Sequence, residues 1–236
     1  MAGVSGLSLI LLAFVFSLYC DSNGLPQPSV PMWPTKFTIS FDVYIKNKGD
    51  DWKSTGEMYY DWNSKTFRAD YIGWCLPPFP SNHSDYSCSF LATGSNMYFI
   101  NHTASEWDKY DCCLFEGGLG SVPPDWMKVG AYNGTDVIQD IPVDVWYFSG
   151  TDNPEKPCYF YWSGRDSART PVGFFGISPV GPTMLLYRDF QPHSIPSGIS
   201  FDLPNGKCDN KCQPPSDLLM DIQQPKWPEC LNQTIL

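Results

Sequence analysis

The sequence has no excess of positive charge. Its 236 residues carry 15 lysines and arginines against 25 aspartates and glutamates, a formal net charge of −10. Basic surfaces attract nucleic acids and anionic membranes, so this balance excludes nucleic-acid binding and disfavours adsorption to such membranes. Long apolar runs are also scarce. One lies within residues 1–20, and no later stretch is long enough to cross a bilayer.

Catalytic signatures are missing as well. The chain contains no Gly-x-Ser-x-Gly, no His-Glu-x-x-His and no glycine-rich phosphate loop. Two of its 3 histidines, His83 and His102, lie inside glycosylation sequons, and His193 has no nucleophile nearby. A surface-loop position is the favoured interpretation of His193, because a general base needs a partner to activate. We therefore predict that the protein is not an enzyme.

Carboxylates provide the remaining chemical alternatives. Asp136, Asp140 and Asp144 share one segment, and two facing acids are the machinery of glycoside hydrolysis. Solvated acidic surfaces are the commoner outcome at this net charge. Oxygen ligands also suit weak calcium binding without an EF-hand loop. We predict no obligatory cofactor, keep calcium as the ion to test, and assign no metal ligands.

Glycine, proline and aromatic residues are abundant. The chain has 19 glycines and 22 prolines, interleaved with 9 tryptophans, 13 tyrosines and 15 phenylalanines. This punctuation leaves little room for long helices and is typical of short strands joined by turns. We predict an all-β, or at least β-rich, fold with few helices, and 42% hydrophobic residues are enough for one real core.

The clearest strand is Lys36–Lys46, which alternates polar and apolar residues with a period of two. Two further strands, Gly56–Trp62 and Thr66–Tyr71, would continue it as an antiparallel meander. A helical turn is predicted at Pro123–Val129, where proline opens the segment. The other predicted strands are Cys88–Ala92, Met97–Asn101, Asp111–Phe115, Val143–Ser149, Cys158–Trp162, Pro171–Ile177, Met184–Phe190 and Ile199–Leu203.

The first 20 residues have the apolar core of a secretion signal, with cleavage expected at about residues 20–24. An uncleaved anchor is the alternative, because the usual basic n-region is absent. After cleavage we predict no transmembrane segment and a secreted, extracellular protein, with the lysosome or vacuole left open. The expected organisation is a proline-rich lead-in over 21–32, a β domain over 33–208 and an irregular, disulfide-tethered tail over 209–236.

Export makes disulfides the expected state of the cysteines. If Cys20 is removed with the signal, eight cysteines remain, an even number that is consistent with four disulfides. The spacing of the cysteines does not reveal which of them pair. A zinc site at Cys208-x3-Cys212 is disfavoured because no second ligand pair lies nearby. The eight predicted disulfide cysteines are Cys75, Cys88, Cys112, Cys113, Cys158, Cys208, Cys212 and Cys230.

Asn-x-Ser/Thr sequons agree with export. Each predicted N-glycan marks an exposed stretch, since a glycan cannot be buried. The four acceptors are Asn82, Asn101, Asn133 and Asn232.

Several segments together resemble the ependymin-related family of secreted glycoproteins. They are Gly56-x-Met58-Tyr59-Tyr60-Asp61-Trp62-Asn63-Ser64-Lys65-Thr66-Phe67-Arg68, Met97-Tyr98-Phe99-Ile100 followed by Cys112-Cys113, Val145-Trp146 ahead of Cys158-Tyr159, and Gly198-Ile199-Ser200-Phe201-Asp202-Leu203-Pro204 before Cys208. The resemblance implies two antiparallel sheets forming a curved half-barrel or sandwich around an apolar pocket, similar to bacterial lipoprotein carriers. It further implies a lipid or other hydrophobic small molecule as partner, no catalysis, calcium binding and a homodimer.

The chain departs from the family at one position that bears on the disulfides. Family members carry a cysteine just before the first strand, whereas this chain has Pro31-Met32-Trp33-Pro34. Cys158 must therefore pair elsewhere, with Cys112, Cys75 or a retained Cys20 as candidates.

The predicted ligand pocket lies on the apolar face of the first strand and its neighbours. That face either leaves room for an apolar guest or packs as a filled core, and periodicity alone favours the filled core. An extracellular glycan-binding or cell-adhesion module, suggested by the tryptophans and acidic loops, is the alternative function, and a glycan-active enzyme is a second one. The predicted pocket residues are Phe37, Ile39, Phe41, Val43, Tyr60 and Phe67.

Overall fold

A computed structural model describes residues 27–45, 53–72, 75, 87–102, 112–118, 120–148, 159–178, 181–204, 208 and 210–212. The predicted signal, the strand start at Cys158, the acceptors Asn82 and Asn232, and Cys20 and Cys230 lie outside these ranges. No helix within the ranges is long and apolar enough to span a membrane.

Strands make up 61% of the described residues, which confirms the all-β prediction. Trp126–Val129 forms a 3₁₀ helix inside the predicted helical turn. The strands are β1 Lys36–Ile45, β2 Lys53–Asp61, β3 Thr66–Ile72, β4 Cys88–Thr93, β5 Asn96–Asn101, β6 Cys112–Gly117, β7 Ala131–Ile138, β8 Ile141–Phe148, β9 Tyr159–Gly164, β10 Pro171–Ser178 and β11 Gly181–Pro192.

All eleven strands form one antiparallel sheet that is not closed. Its order is β6-β5-β4-β3-β2-β1-β11-β10-β9-β8-β7. Two meanders, β1–β6 and β7–β11, therefore join at a central seam where β1 pairs with β11, with Phe41 opposite Tyr187. The resemblance implied two sheets, whereas these strands are hydrogen-bonded into a single curved one.

Residues 118–130 connect the two edge strands, β6 and β7, and the described part of this connection contacts the sheet. The hydroxyl of Tyr60 donates to the carbonyl of Val122 at 2.8 Å. The backbone amide of Trp33, the residue that follows the lead-in, donates to the carbonyl of Pro124 at 3.0 Å. We call residues 118–130 the crossover segment.

Two differences from the predicted strands have local causes. Ile199–Leu203 is not a strand, because the hydroxyl of Ser200 accepts a bond from the amide of Asp202 at 3.0 Å and turns the chain. β7 was not predicted, because its sequence does not alternate polar and apolar residues. Asn133 and Gly134 form a bulge in this strand.

Three disulfides are described. They are Cys75–Cys88, Cys112–Cys208 and Cys113–Cys212. The prediction that Cys158 pairs with Cys112 or Cys75 is wrong, because both of those cysteines are already bridged. Disulfides of this number indicate an oxidising, non-cytosolic compartment.

Candidate ligand-binding face

The six predicted pocket residues lie on one face of the sheet. Phe37 on β1 is opposite Tyr60 on β2, and Tyr60 is opposite Phe67 on β3, so their side chains point the same way. We call this the Phe37 face. Phe37, Ile39, Phe41, Val43 and Tyr60 are each at most 1% exposed, and Phe67 is half-buried.

The same face continues across the seam onto the second meander. Leu185 and Tyr187 of β11 stand opposite Val43 and Phe41 of β1. Beyond them, Phe174 of β10 lies opposite Leu185. Periodicity along β1 identified the centre of this surface, but the β11 and β10 members could be placed only once the seam was known.

Aromatic rings cover one end of the Phe37 face. Trp33 makes edge contacts with Phe37, Tyr60 and Trp126 at 5.2 to 5.4 Å between ring centroids. Trp126 stacks on Phe148 at 4.9 Å. Trp33, just before β1, and Trp126, in the crossover segment, thus place two indole rings over the strands. The packing of these rings covers that end of the Phe37 face.

Other members of the face keep part of their surface accessible. Leu185 and Tyr187 pack against the buried cluster around Phe41, yet each is only half-buried, and so is Phe90 on β4. A side chain that packs on a core and is still accessible borders open space. These residues therefore keep apolar surface accessible on the Phe37 face.

The buried tyrosine hydroxyls in this region are uncharged at neutral pH. Burial raises the pKa of Tyr71, Tyr161 and Tyr187 well above the ordinary value for a phenol. The hydroxyl of Tyr161 accepts a bond from the indole nitrogen of Trp33 at 3.1 Å. Uncharged phenols can donate or accept a hydrogen bond, so these hydroxyls act as neutral polar groups within the apolar face.

One donor near these rings lacks an acceptor. The indole Nε1 of Trp126 is buried and has no hydrogen-bond partner in the described part of the chain. Such a donor loses its bond to water on burial, at a cost of about 1–3 kcal/mol. An oxygen of a bound molecule would satisfy it.

The opposite face is more polar at its centre. Arg188 of β11 forms an ion pair with Asp42 of β1 at 3.3 Å, and Arg68 pairs with Asp70 on β3 at 2.7 Å. A second apolar cluster lies on this face over β8–β11, around Trp162 and Phe175. The ion pair of Arg188 and Asp42 at the seam lies between this second cluster and the strands β2–β6.

The segment with three aspartates does not form an acidic site. Asp144 is buried, with its side chain 3% exposed, and its carboxylate is paired with Arg169 and with Arg165, the latter at 3.7 Å. Asp136 and Asp140 are exposed. Within the described ranges, no group of three or more His, Cys, Asp or Glu side chains is placed to hold a metal ion. Calcium binding stays a prediction.

Ser89 and His102 are in contact, which the sequence did not indicate. The hydroxyl of Ser89 lies 2.7 Å from His102 Nε2 and also bonds to the carboxylate of Asp70. Ser89 is fully buried, and the carboxylate contacts the serine rather than the imidazole, so the arrangement is not that of a nucleophile and its base. Burial lowers the pKa of His102, which Asp70 partly opposes.

The remaining candidates are at the surface or in the core. His193 is exposed, as predicted, with its backbone amide bonded to the carbonyl of Lys36. Asn133 is exposed on β7, and Asn101 is half-buried at the end of β5. Among the five described tryptophans, Trp146 and Trp162 are buried, whereas Trp33, Trp62 and Trp126 are half-buried.

No family model matches the sequence, and no curated protein does. Solved structures with some similarity include an uncharacterised conserved protein from Thermus thermophilus, at 10% identity over 75% of this chain and 90% of that chain, with a TM-score of 0.44. The lipoprotein LppX from Mycobacterium tuberculosis matches at 11% identity over 72% and 90%, with a TM-score of 0.35. LprF from Mycobacterium bovis matches at 12% over 70% and 90%, with a TM-score of 0.37. TM-scores below 0.5 do not carry a function from these proteins to this chain.

Proposed function

We propose that this chain is a secreted, disulfide-bonded glycoprotein, related to the ependymin-like proteins it resembles, that binds a hydrophobic, lipid-like molecule on the Phe37 face and is not an enzyme. The observation that carries the proposal is the partial accessibility of Leu185, Tyr187 and Phe174, which pack on fully buried neighbours. Apolar surface left accessible inside a fold favours an apolar guest, at about 0.8 kcal/mol per buried methylene.

The polar chemistry of the region narrows the ligand. The phenols are neutral, and Lys65, whose ammonium group lies 6.0 Å from the ring centroid of Trp62 at the border of the Phe37 face, is exposed to solvent. The unpartnered Nε1 of Trp126 could donate a hydrogen bond to an oxygen of the ligand. We therefore expect a molecule with a long apolar part and one hydrogen-bond acceptor.

The first test is organic extraction of the protein purified from secreting cells, followed by mass spectrometry of what is released. A lipid in stoichiometric amount is the expected result. An empty extract, from protein that also fails to take up a fluorescent fatty acid, would mean a filled core and would overturn the proposal in favour of the adhesion module.

Two adjacent substitutions locate the site. Leu185→Trp fills space on the Phe37 face, whereas Met184→Trp adds the same bulk one residue away on the opposite face. We expect Leu185→Trp to weaken fatty-acid binding by about tenfold or more, equivalent to about 1.4 kcal/mol. Met184→Trp should bind like the wild type. Equal losses in both variants would place the ligand elsewhere.

A further inference from the structure

The two edges of the sheet differ. Along β6, the amide of Leu114 donates to Asn210 at 2.7 Å and the amide of Cys212 donates to Leu114 at 2.9 Å. Two disulfides fix this covering segment in place. On β7, by contrast, no strand among the described residues pairs with the outer side, and every residue of β7 is exposed or half-buried.

Apart from one bulge, β7 has little to discourage pairing with another chain. Asp136 is its one charged residue, and the strand has no lysine or proline. At the hairpin that joins it to β8, Val137 is 61% exposed and Ile141 is 43% exposed. Open edges with exposed β-branched residues are templates for strand addition, and natural proteins usually blunt them with charge, proline or bulges.

The only irregularity in β7 coincides with a glycosylation sequon. Tyr132 pairs with Trp146 and Thr135 with Asp144, so Asn133 and Gly134 together oppose one residue of β8. Gly134 has a φ of +91°, a conformation that suits glycine. Asn133 is exposed, and Asn133-Gly134-Thr135 is an acceptor sequence.

We propose that an N-glycan on Asn133 caps the open edge of β7 and prevents a second copy of this chain from pairing with it. A bulge bends its strand and breaks the regular ladder at that point. A bulky, hydrated glycan attached there stands where a pairing strand would have to pass. The inference concerns self-association and is independent of the bound ligand.

Thr135 allows a matched experiment on secreted protein. Thr135→Ala removes the sequon, whereas Thr135→Ser keeps it at the same exposed position. Asn133→Gln removes the acceptor independently. Asn101→Gln is the site control, because Asn101 lies on β5, between β4 and β6, away from the open edge.

The readouts are glycopeptide mass spectrometry and light scattering coupled to size-exclusion chromatography over a range of protein concentrations. We expect Asn133 to be occupied in the wild type, and the mass of the Thr135→Ala and Asn133→Gln proteins to at least double at concentrations where the wild type does not change. Thr135→Ser and Asn101→Gln should match the wild type. Adding Val137→Lys to Thr135→Ala should restore the original mass.

Three results would overturn the proposal: an unoccupied Asn133, unchanged mass of the sequon-less variants, or association that Val137→Lys does not reverse. If the sequon-less variants are not secreted, endoglycosidase trimming of folded wild-type protein replaces them. Trimmed protein should then associate, and trimmed Val137→Lys should not. Trimmed wild type that keeps its original mass would equally reject the proposal.

Discussion

At the scale of single residues, Gly56 shows how closely β1, β2 and β3 approach. A Cβ built on Gly56 would lie 2.2 Å from the backbone oxygen of Asp70 and 2.5 Å from Cζ of Phe41. The first contact is with backbone and the second with a fully buried ring, so neither can move aside at low cost.

We therefore predict that Gly56→Ala lowers the free energy of unfolding by about 1–3 kcal/mol, the usual cost of overpacking. Gly198→Ala is the control, because nothing lies within 4 Å of its added Cβ. Urea unfolding followed by tryptophan fluorescence measures both. Equal stabilities of the two variants would show that the strands can separate to admit a methyl group.

Asp144 gives a second prediction at this scale. Its carboxylate is buried, whereas Arg169 and Arg165 are 21% and 56% exposed, so solvent reaches the cationic side of the network. Loss of one partner of a fully buried pair costs about 3–5 kcal/mol, and we expect Asp144→Asn to cost about 2–3 kcal/mol because the arginines stay hydrated.

Asp136→Asn on the neighbouring strand is the matched control for Asp144→Asn, since Asp136 is exposed and should change stability by less than about 0.5 kcal/mol. Both variants are measured by urea unfolding at neutral pH. An Asp144→Asn protein as stable as the Asp136→Asn protein would mean that the ion-pair network contributes nothing to the fold.

At the scale of elements, the disulfides beside β6 act as a pair. Cys112–Cys208 and Cys113–Cys212 join residues 96 and 99 positions apart, and both tie the same strand to the same segment. Loop-closure entropy for about 100 residues corresponds to about 4.7 kcal/mol in the chain-entropy model. Once one bridge has formed, the other closes only a small ring.

We therefore predict strong non-additivity. Removing either bridge alone, with serine at both positions, should cost about 2 kcal/mol in loop entropy, the value for a ring of about six residues, whereas removing both should cost about 7 kcal/mol. Denaturant unfolding of the two double-serine variants and the four-serine variant completes the cycle. Single-bridge losses that add up to the joint loss would contradict the shared-loop account.

The same elements show what could be predicted from the sequence. Period-two alternation predicted β1 with an error of one residue at its C-terminal end. It also assigned every second residue from Phe37 to Val43 to one face, because burial of one side of a strand produces that pattern. Ile199–Leu203 has a similar composition but does not form a strand. The hydroxyl of Ser200 accepts a hydrogen bond from the amide of Asp202 and bends the chain there. β7 has no alternating pattern because it is an exposed edge strand.

Contacts between distant segments could not be predicted. Trp33 bonds to Tyr161 across 128 positions, and Ser89 meets His102 only because β4 pairs with β5 in one register. Their geometry depends on the order of the strands, which alternation within a strand does not encode. The seam between β1 and β11 is the largest such case, since it completes the Phe37 face.

At the scale of the whole molecule, the Phe37 face is built from both meanders, so its shape depends on the seam. Val43 and Leu185 are opposite each other but belong to strands more than a hundred residues apart in sequence. A ligand that contacts both sides would therefore hold the two meanders together. It binds the native state and not the unfolded chain, which couples binding to global stability.

This coupling predicts thermal stabilisation by a ligand. At a free concentration of about 100 times its Kd, a fatty acid should add about 2.7 kcal/mol to the free energy of unfolding of delipidated protein. For a domain of this size that corresponds to a rise in Tm of about 5–10 °C. Differential scanning calorimetry with and without the fatty acid measures it. Tenfold weaker binding should reduce the stabilisation of Leu185→Trp to about 1.4 kcal/mol, about half of the wild-type shift, while Met184→Trp retains the full shift. An unchanged Tm in delipidated wild-type protein would instead indicate that side chains fill the Phe37 face completely, because a filled core has no space whose occupation could stabilise the fold.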